Sequence, residues 1–192
     1  MREYGIFLQS MLRHPLQTGA VAPSSRYLAQ AMIRHMKLEE AQCVVELGPG
    51  TGVFTNAVLS RLNPNAVFFA IERNPTLASY LRRELPNVEI ICDSAENLQT
   101  YLSSRNLTAD YVLSGLPLSW LPKEVCHNVL DAVHSALRPN GKFAMFQYMH
   151  SAMTPTGAYV QHALKHRFGN LQLTRTLRNF PPALVLTCEK TD

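Results

Sequence analysis

The chain has 192 residues, 46% of them hydrophobic, enough to bury one sizeable core and too few for two independent domains, so residues 1–192 are expected to form one domain. A formal charge of +4 is moderate: it permits an anionic partner such as lipid headgroups or nucleic acid without demanding one. That excess lies in residues 1–37, which hold five basic residues against one acidic residue, while the remainder balances.

Residues 1–14 place Tyr4, Phe7, Leu8, Met11 and Leu12 at i, i+3, i+4, i+7 and i+8, an apolar helical stripe. Such a helix either packs its stripe on the domain or lies in a membrane interface with Arg2 and Arg13 towards anionic headgroups. Pro15 ends it, and the following segment, Gln17 to Ser25, is too rich in small and turn-forming residues for regular structure. This segment reads either as a plain connection or as a lid whose hydroxyls, with Thr18 and Ser25 as candidates, meet a polar ligand. Ser24 or Ser25 then caps a helix running to about Lys37.

The short apolar run Val44-Val45 leads into Glu46-Leu47-Gly48-Pro49-Gly50-Thr51-Gly52, after which a helical pattern begins at Val53. A second apolar run, 66–71, ends at Glu72. A helix over 75–85, a strand over 88–92 ending at Asp93, and a helix over 95–103 continue the alternation. Strands alternating with helices at this spacing imply an α/β fold with a parallel sheet and helices on both faces. A fourth strand is expected over 110–114 and a helix from Pro122 to Leu137. Arg138-Pro139-Asn140-Gly141 then turns into a fifth strand over 142–148. After His150 a loop through Thr154 and Pro155 leads to a helix over 158–168. The runs 171–177 and 183–188, joined by Phe180-Pro181-Pro182, complete seven strands as an antiparallel pair.

The four cysteines, Cys43, Cys92, Cys126 and Cys188, are widely spaced with no C-x-x-C pair, so reduced, buried thiols are expected. No apolar run approaches the length of a membrane span and no signal peptide is visible, which favours a cytoplasmic protein, associated with a membrane at most peripherally. His162 and His166 share a helix face, but no third ligand follows them, so no metal is expected.

Glycines at alternate positions 48, 50 and 52 differ from the G-x-G-x-x-G of dinucleotide sites. The acids at three strand ends sharpen the reading. Glu46 precedes the turn, Glu72 stands where a ribose diol needs acceptors, and Asp93 stands where an adenine amine donates. A ligand with an amino-acid tail, a ribose and an adenine but no phosphate suits them, and S-adenosylmethionine is that molecule. Arg73, Ser94 and Ala95 flank these acids and join the candidate cofactor-binding set.

With these residues the sequence resembles the class I S-adenosylmethionine-dependent methyltransferases, Val-Glu-Leu-Gly-Pro-Gly-Thr-Gly being a strong form of their first motif. The resemblance implies a Rossmann-like sheet of order 3-2-1-4-5-7-6 with the last strand antiparallel. Ser114-Gly115-Leu116-Pro117-Leu118 resembles the acceptor segment of amino-methyltransferases, including ribosomal RNA adenine dimethyltransferases, where it aims a target nitrogen at the methyl group. Over the full length, Thr18 to Arg26, the first motif, Ile71-Glu72-Arg73-Asn74, the Ser114 segment, Phe146-Gln147-Tyr148 and Asn179-Phe180-Pro181-Pro182-Ala183 resemble the small soluble bacterial phospholipid N-methyltransferases. That likeness implies methylation of phosphatidylethanolamine, with residues 1–14 at the membrane surface and 1–37 as a helical lid or anchor. Only four residues follow Cys188, so the C-terminal helical domain of the RNA enzymes is not expected.

Ser114, Gly115 and Tyr148 are the candidate catalytic residues, with Tyr148 or His150 orienting the amine or accepting its proton. Trp120, Tyr148, His150, Tyr159 and Arg178 are the candidate substrate-binding residues, the tyrosines by cation-π contact with a methylated ammonium and Arg178 by contact with a phosphate. A small amine, a nucleic-acid adenine, or a binding module without turnover are the competing expectations.

Overall fold

The computed structural model describes residues 24–191. The amphipathic helix expected over residues 1–14, and Thr18, lie outside them. Strands β1 (Cys43–Leu47), β2 (Val67–Ile71), β3 (Glu89–Ile91), β4 (Ala109–Ser114), β5 (Leu137–Tyr148), β6 (Gln172–Thr176) and β7 (Ala183–Glu189) form one sheet of order β3-β2-β1-β4-β5-β7-β6. The first five are mutually parallel and β7 runs antiparallel to both neighbours, as expected. β1 and β4 are buried along their whole length. Their largely apolar sequences suit this position, since a central parallel strand is covered on both faces.

Seven helices flank the sheet in the described chain: α1 (Arg26–Ile33), α2 (Val53–Leu59), α3 (Pro75–Glu84), α4 (Leu98–Ser103), α5 (Lys123–Ala136), α6 (Met149–Ala152) and α7 (Pro155–Phe168). Successive strand residues point to opposite faces, and the core divides accordingly. Val44, Leu113, Ala144 and Val185 pack with Leu28, Met32, Phe54 and Val58 of α1 and α2. Val45, Val112, Phe143 and Met145 pack with residues of α4, α5 and α7, including Leu102, Val133, Leu164 and Phe168.

Several element ends differ from expectation for identifiable reasons. α1 stops at Ile33, short of Lys37, and Leu38–Glu40 forms a separate 3-10 turn. α7 starts at Pro155, three residues early: Thr154 accepts from the Gly157 N–H, and proline at the first turn lacks an N–H that would have no partner there. β5 starts at Leu137, so Arg138–Gly141 is a bulge inside the strand in place of a turn ahead of it. Ala109 pairs with Leu137 but Tyr111 pairs with Lys142, and Asn140 takes a left-handed φ of 61°. Cys92 is exposed, against the expectation of four buried thiols, because β3 is short and ends before it; the other three are buried.

Asp110 anchors this bulge. Its carboxylate accepts from the backbone N–H groups of Gln42 and Cys43, at 2.7 and 2.9 Å, and from Arg138 Nε at 2.5 Å. Burial pushes this carboxyl up, but Arg138 and the two N–H groups outweigh it and hold the group below its ordinary range. Asp110→Ala strands two backbone donors at the entry to β1, and a loss on the order of 3 kcal/mol is expected in urea denaturation. A loss within experimental error would show that water replaces the carboxylate at no cost.

Because the parallel strands point one way, Leu47, Ile71, Ile91, Ser114 and Tyr148 reach the same sheet edge. Ala183 pairs with both Tyr148 and Thr176, so the loop from Leu177 to Pro182 lies at that edge too. This is the edge where open parallel sheets bind ligands.

Candidate active site

The glycine turn is built at close quarters. Gly48, Gly50 and Gly52 have φ of 67°, 58° and 85°, a region that residues with a Cβ enter at a cost. Gly48 N–H donates to Ile71 O at 2.9 Å and Gly115 N–H to Leu47 O at 2.8 Å, tying the turn to both neighbouring strand ends. A Cβ on Gly115 would stand 2.4 Å from Gly48 O, so the two loops touch backbone to backbone. A Cβ on Gly50 would have no atom within 4 Å, so the middle of the turn faces open space.

Three carboxylates stand at the ends of β1, β2 and β3 in different states. Glu46 is fully buried; Thr55 Oγ1 donates to its Oε2 at 2.7 Å, and Oε1 has no hydrogen-bond partner among the described residues. Burial pushes this carboxyl up to about 7, with Thr55 opposing and the nearby Glu72 adding to the rise. Glu72, also buried, accepts from Gly50 N–H at 3.3 Å and Asn74 N–H at 2.9 Å, so it fastens the turn to the end of β2. Burial raises it as well. Asp93 accepts from Tyr101 Oη at 2.5 Å, Asn97 Nδ2 at 2.9 Å and Ser94 N–H at 2.7 Å; these donors, Tyr101 foremost, hold it below the usual carboxylate range. Ser94 caps the 3-10 turn Ala95–Asn97 and donates to Glu96, Ala95 is buried beneath it, and Arg73 is exposed.

On the acceptor side Ser114 is fully buried, and its Oγ accepts from Leu116 N–H at 3.2 Å, fixing the turn that presents Gly115 to Pro117. Pro117, Trp120, Phe146 and Tyr148 line a small cavity of about 30 Å³ beyond it, so the structure brings Trp120 and Tyr148 together. His150 stacks on Tyr148, centroids 5.7 Å apart and planes within 2°. Burial pushes the Tyr148 phenol up to about 12, so near neutrality it keeps its proton.

Other expected site residues are committed within the chain. The Ser25 hydroxyl accepts from Leu28 N–H and donates to Arg178 O, serving as the α1 cap. Tyr159 faces α5, with Lys123 Nζ 5.2 Å from its ring centroid and His127 beside it, so its ring already carries a cation of the chain. Arg178 lies over Tyr27 at 5.2 Å, in the β6–β7 loop.

Sequence reasoning gave no role to three residues. Thr55 holds Glu46 from nine positions away. Asn179 accepts from Ser25 N–H at 2.9 Å and donates to Pro181 O, locking the loop to α1. Buried Gln147 donates to Ser119 Oγ at 2.7 Å and accepts from Gln161, joining β5 to the acceptor segment and α7. For Gln147 and Asn179 the sequence signal is membership of segments that carry the family resemblance, and for Thr55 it is a polar residue inside an apolar pattern.

Comparison with known proteins agrees with this geometry. Residues 44–141 match the family described as methyltransferase domain, which is just over half of the chain. The chain belongs to the class I S-adenosylmethionine-dependent methyltransferases. A full-length relative, the ornithine lipid N-methyltransferase of Singulisphaera acidiphila, is 30% identical over 98% of this chain and 96% of its own length. Among solved structures, the N-methyltransferase NodS of Bradyrhizobium japonicum superposes with a TM-score of 0.67 at 12% identity, covering 87% of this chain and 96% of that one. An O-methyltransferase of Bacillus cereus in complex with SAH gives 0.66 at 12% identity over 98% of this chain and 90% of that one. At such identities the structures speak for the fold.

S-adenosylmethionine is the methyl donor of this methyltransferase, and the residues present fit it. The buried Glu46 Oε1 needs a donor, and the cofactor carries N–H and O–H groups in quantity. The clear space above Gly50 leaves its backbone approachable.

Proposed function

We propose that this methyltransferase transfers methyl groups to the primary amine of a membrane lipid, phosphatidylethanolamine or an ornithine lipid. The likeness to an ornithine lipid N-methyltransferase across nearly the whole chain, acceptor segment included, supports this reading and favours the ornithine headgroup of the two. The cofactor supplies a methyl group already activated on a sulfonium. The protein's task is then to hold an unprotonated amine in line with it and to exclude water.

In this reading Glu46 faces the amino-acid tail, Gly48 to Gly52 let the backbone approach, Glu72 takes the ribose hydroxyls, and Asp93 with Ser94 and Ala95 borders the adenine. Thr18 and Arg73 complete the set, and residues 1–37 form the lid. Ser114 fixes the turn whose backbone carbonyls accept from the amine and point its lone pair. Trp120 and Tyr148 wall the entrance, and the Tyr148 phenol donates. An amine of lysine-like pKa, about 10.4, presented neutral at pH 7 costs about 4 to 5 kcal/mol, so desolvation in this pocket has to contribute. No helix of the described residues is long and apolar enough to cross a membrane. The proposed location is peripheral, at the cytoplasmic face.

Incubation with radiolabelled S-adenosylmethionine and vesicles holding either phosphatidylethanolamine or ornithine lipid is expected to label the lipid in successive methylation steps. Label in a soluble amine or in RNA, with none in either lipid, would falsify the assignment.

A further inference from the structure

An open groove of about 450 Å³ runs between α1 and β6, and Arg34, Arg61, Arg175 and Arg178 line it with no acidic residue among them. Arg61 is held by Glu39 at 2.8 Å. Arg34, Arg175, Arg178 and the adjacent Arg26 form no salt bridge among the described residues. Arg26 and Arg178 instead sit 5.0 and 5.2 Å from the ring centroid of Tyr27, an aromatic anchor that holds both guanidinium groups at the groove's upper end. Thr176 also lines the groove, and its buried Oγ1 has no hydrogen-bond partner among the described residues. Arg26, Arg34, Arg175 and Arg178 thus stand together with no carboxylate partner among the described residues.

Apolar side chains continue this basic surface at the ligand-binding edge of the sheet. Leu177 is 69% exposed, Phe180 83% and Met153 87%, whereas the other exposed large apolar side chains among the described residues reach only 37 to 52%. All three belong to segments that leave β5 and β6 at the edge carrying the glycine turn and Ser114. Basic side chains beside exposed apolar ones are the composition that partitions into a bilayer interface, the charges on lipid phosphates and the apolar groups below them.

We infer that the α1–β6 groove and the Leu177–Phe180 loop form a docking surface for an anionic phospholipid bilayer, separate from any contribution of residues 1–14. A nucleic acid would meet the arginines but leave Leu177, Phe180 and Met153 in water. A second copy of the chain packed face to face would bring the same unpaired arginines against one another. Docking here turns the Ser114 edge towards the headgroups. That orientation rests on the lipid-amine reading, whereas the docking itself is measured without turnover.

The test is co-sedimentation of the full chain with phosphatidylcholine vesicles, with and without phosphatidylglycerol. Arg34→Gln with Arg175→Gln is expected to weaken partition into the anionic vesicles about fivefold per arginine, so about 25-fold in all. Leu177→Ser with Phe180→Ser is expected to weaken it at least about tenfold. All four side chains are exposed, and an unchanged urea denaturation midpoint serves as the check that both variants fold. Parental partition in both variants would overturn the inference, as would self-association abolished by the same changes without vesicle binding. Vesicle binding through this surface with no lipid methylation would remove the proposed function and leave the docking. Methylation of lipid in detergent micelles by a parent protein that ignores anionic vesicles would do the reverse.

Discussion

Gly50→Leu is expected to abolish S-adenosylmethionine binding, raising Kd more than about a hundredfold in calorimetry, while the apo protein loses only about 1–2 kcal/mol from the strained left-handed φ. The separation of the two effects follows from where the glycine faces. No atom stands within 4 Å of a Cβ at this position, so the new side chain meets no protein and fills the space over the turn. Gly115→Ala is the contrasting case, since its Cβ would stand 2.4 Å from Gly48 O, a backbone atom tied into the sheet. There the fold itself suffers, by about 1–3 kcal/mol of overpacking, and binding falls because the turn is displaced. Equal cofactor affinity in Gly50→Leu and parent would place the cofactor elsewhere; a Gly115→Ala protein as stable as the parent would show that β1 and β4 can separate.

These two glycines also show what a sequence makes legible. The turn at 48–52 is legible because alternate glycines after a buried strand have few other uses, and the parallel sheet because strands alternate with helices, whereas the strand order came only with the family resemblance. Gly115 was readable only by likeness to an acceptor segment, since its constraint is the Gly48 carbonyl, 67 residues away in sequence. The bulge at Arg138–Gly141 was hidden for the same kind of reason. Arg-Pro-Asn-Gly is a good turn sequence, and Asp110, from another strand, captures Arg138 and makes it part of β5. Tyr159 was assigned to substrate from residue type alone, and the face of α7 it occupies was decided by Lys123 and His127 on α5. Local pattern reports burial and turns, whereas pairings between distant polar groups become visible only once the chain is folded.

Glu46 carries the second large expectation. Glu46→Gln is expected to weaken S-adenosylmethionine binding ten- to a hundredfold, the usual loss when a charged hydrogen-bond partner is neutralised, and at the same time to flatten the pH dependence of apo stability. The sign follows from linkage. Burial raises this carboxyl from an ordinary 4.5 to about 7, so the folded chain holds its proton more tightly than the unfolded chain does. The resulting stabilisation is fully present below pH 4.5 and is lost as pH rises through about 7, a change on the order of 3 kcal/mol. Glu72, raised by burial as well, adds its own slope of the same sign, so the measurement is the difference between parent and Glu46→Gln denaturation curves across that range. Stability of the parent should fall relative to the variant from pH 5 to pH 8 without ligand, and saturating cofactor should remove most of that fall by giving Oε1 a donor. Parallel curves for the two proteins would mean that Glu46 is solvated in the free protein. A carboxylate that costs the apo fold stability and is relieved by ligand is the kind of compromise a binding site retains, because the same unpaired oxygen that weakens the empty protein selects for a ligand able to satisfy it.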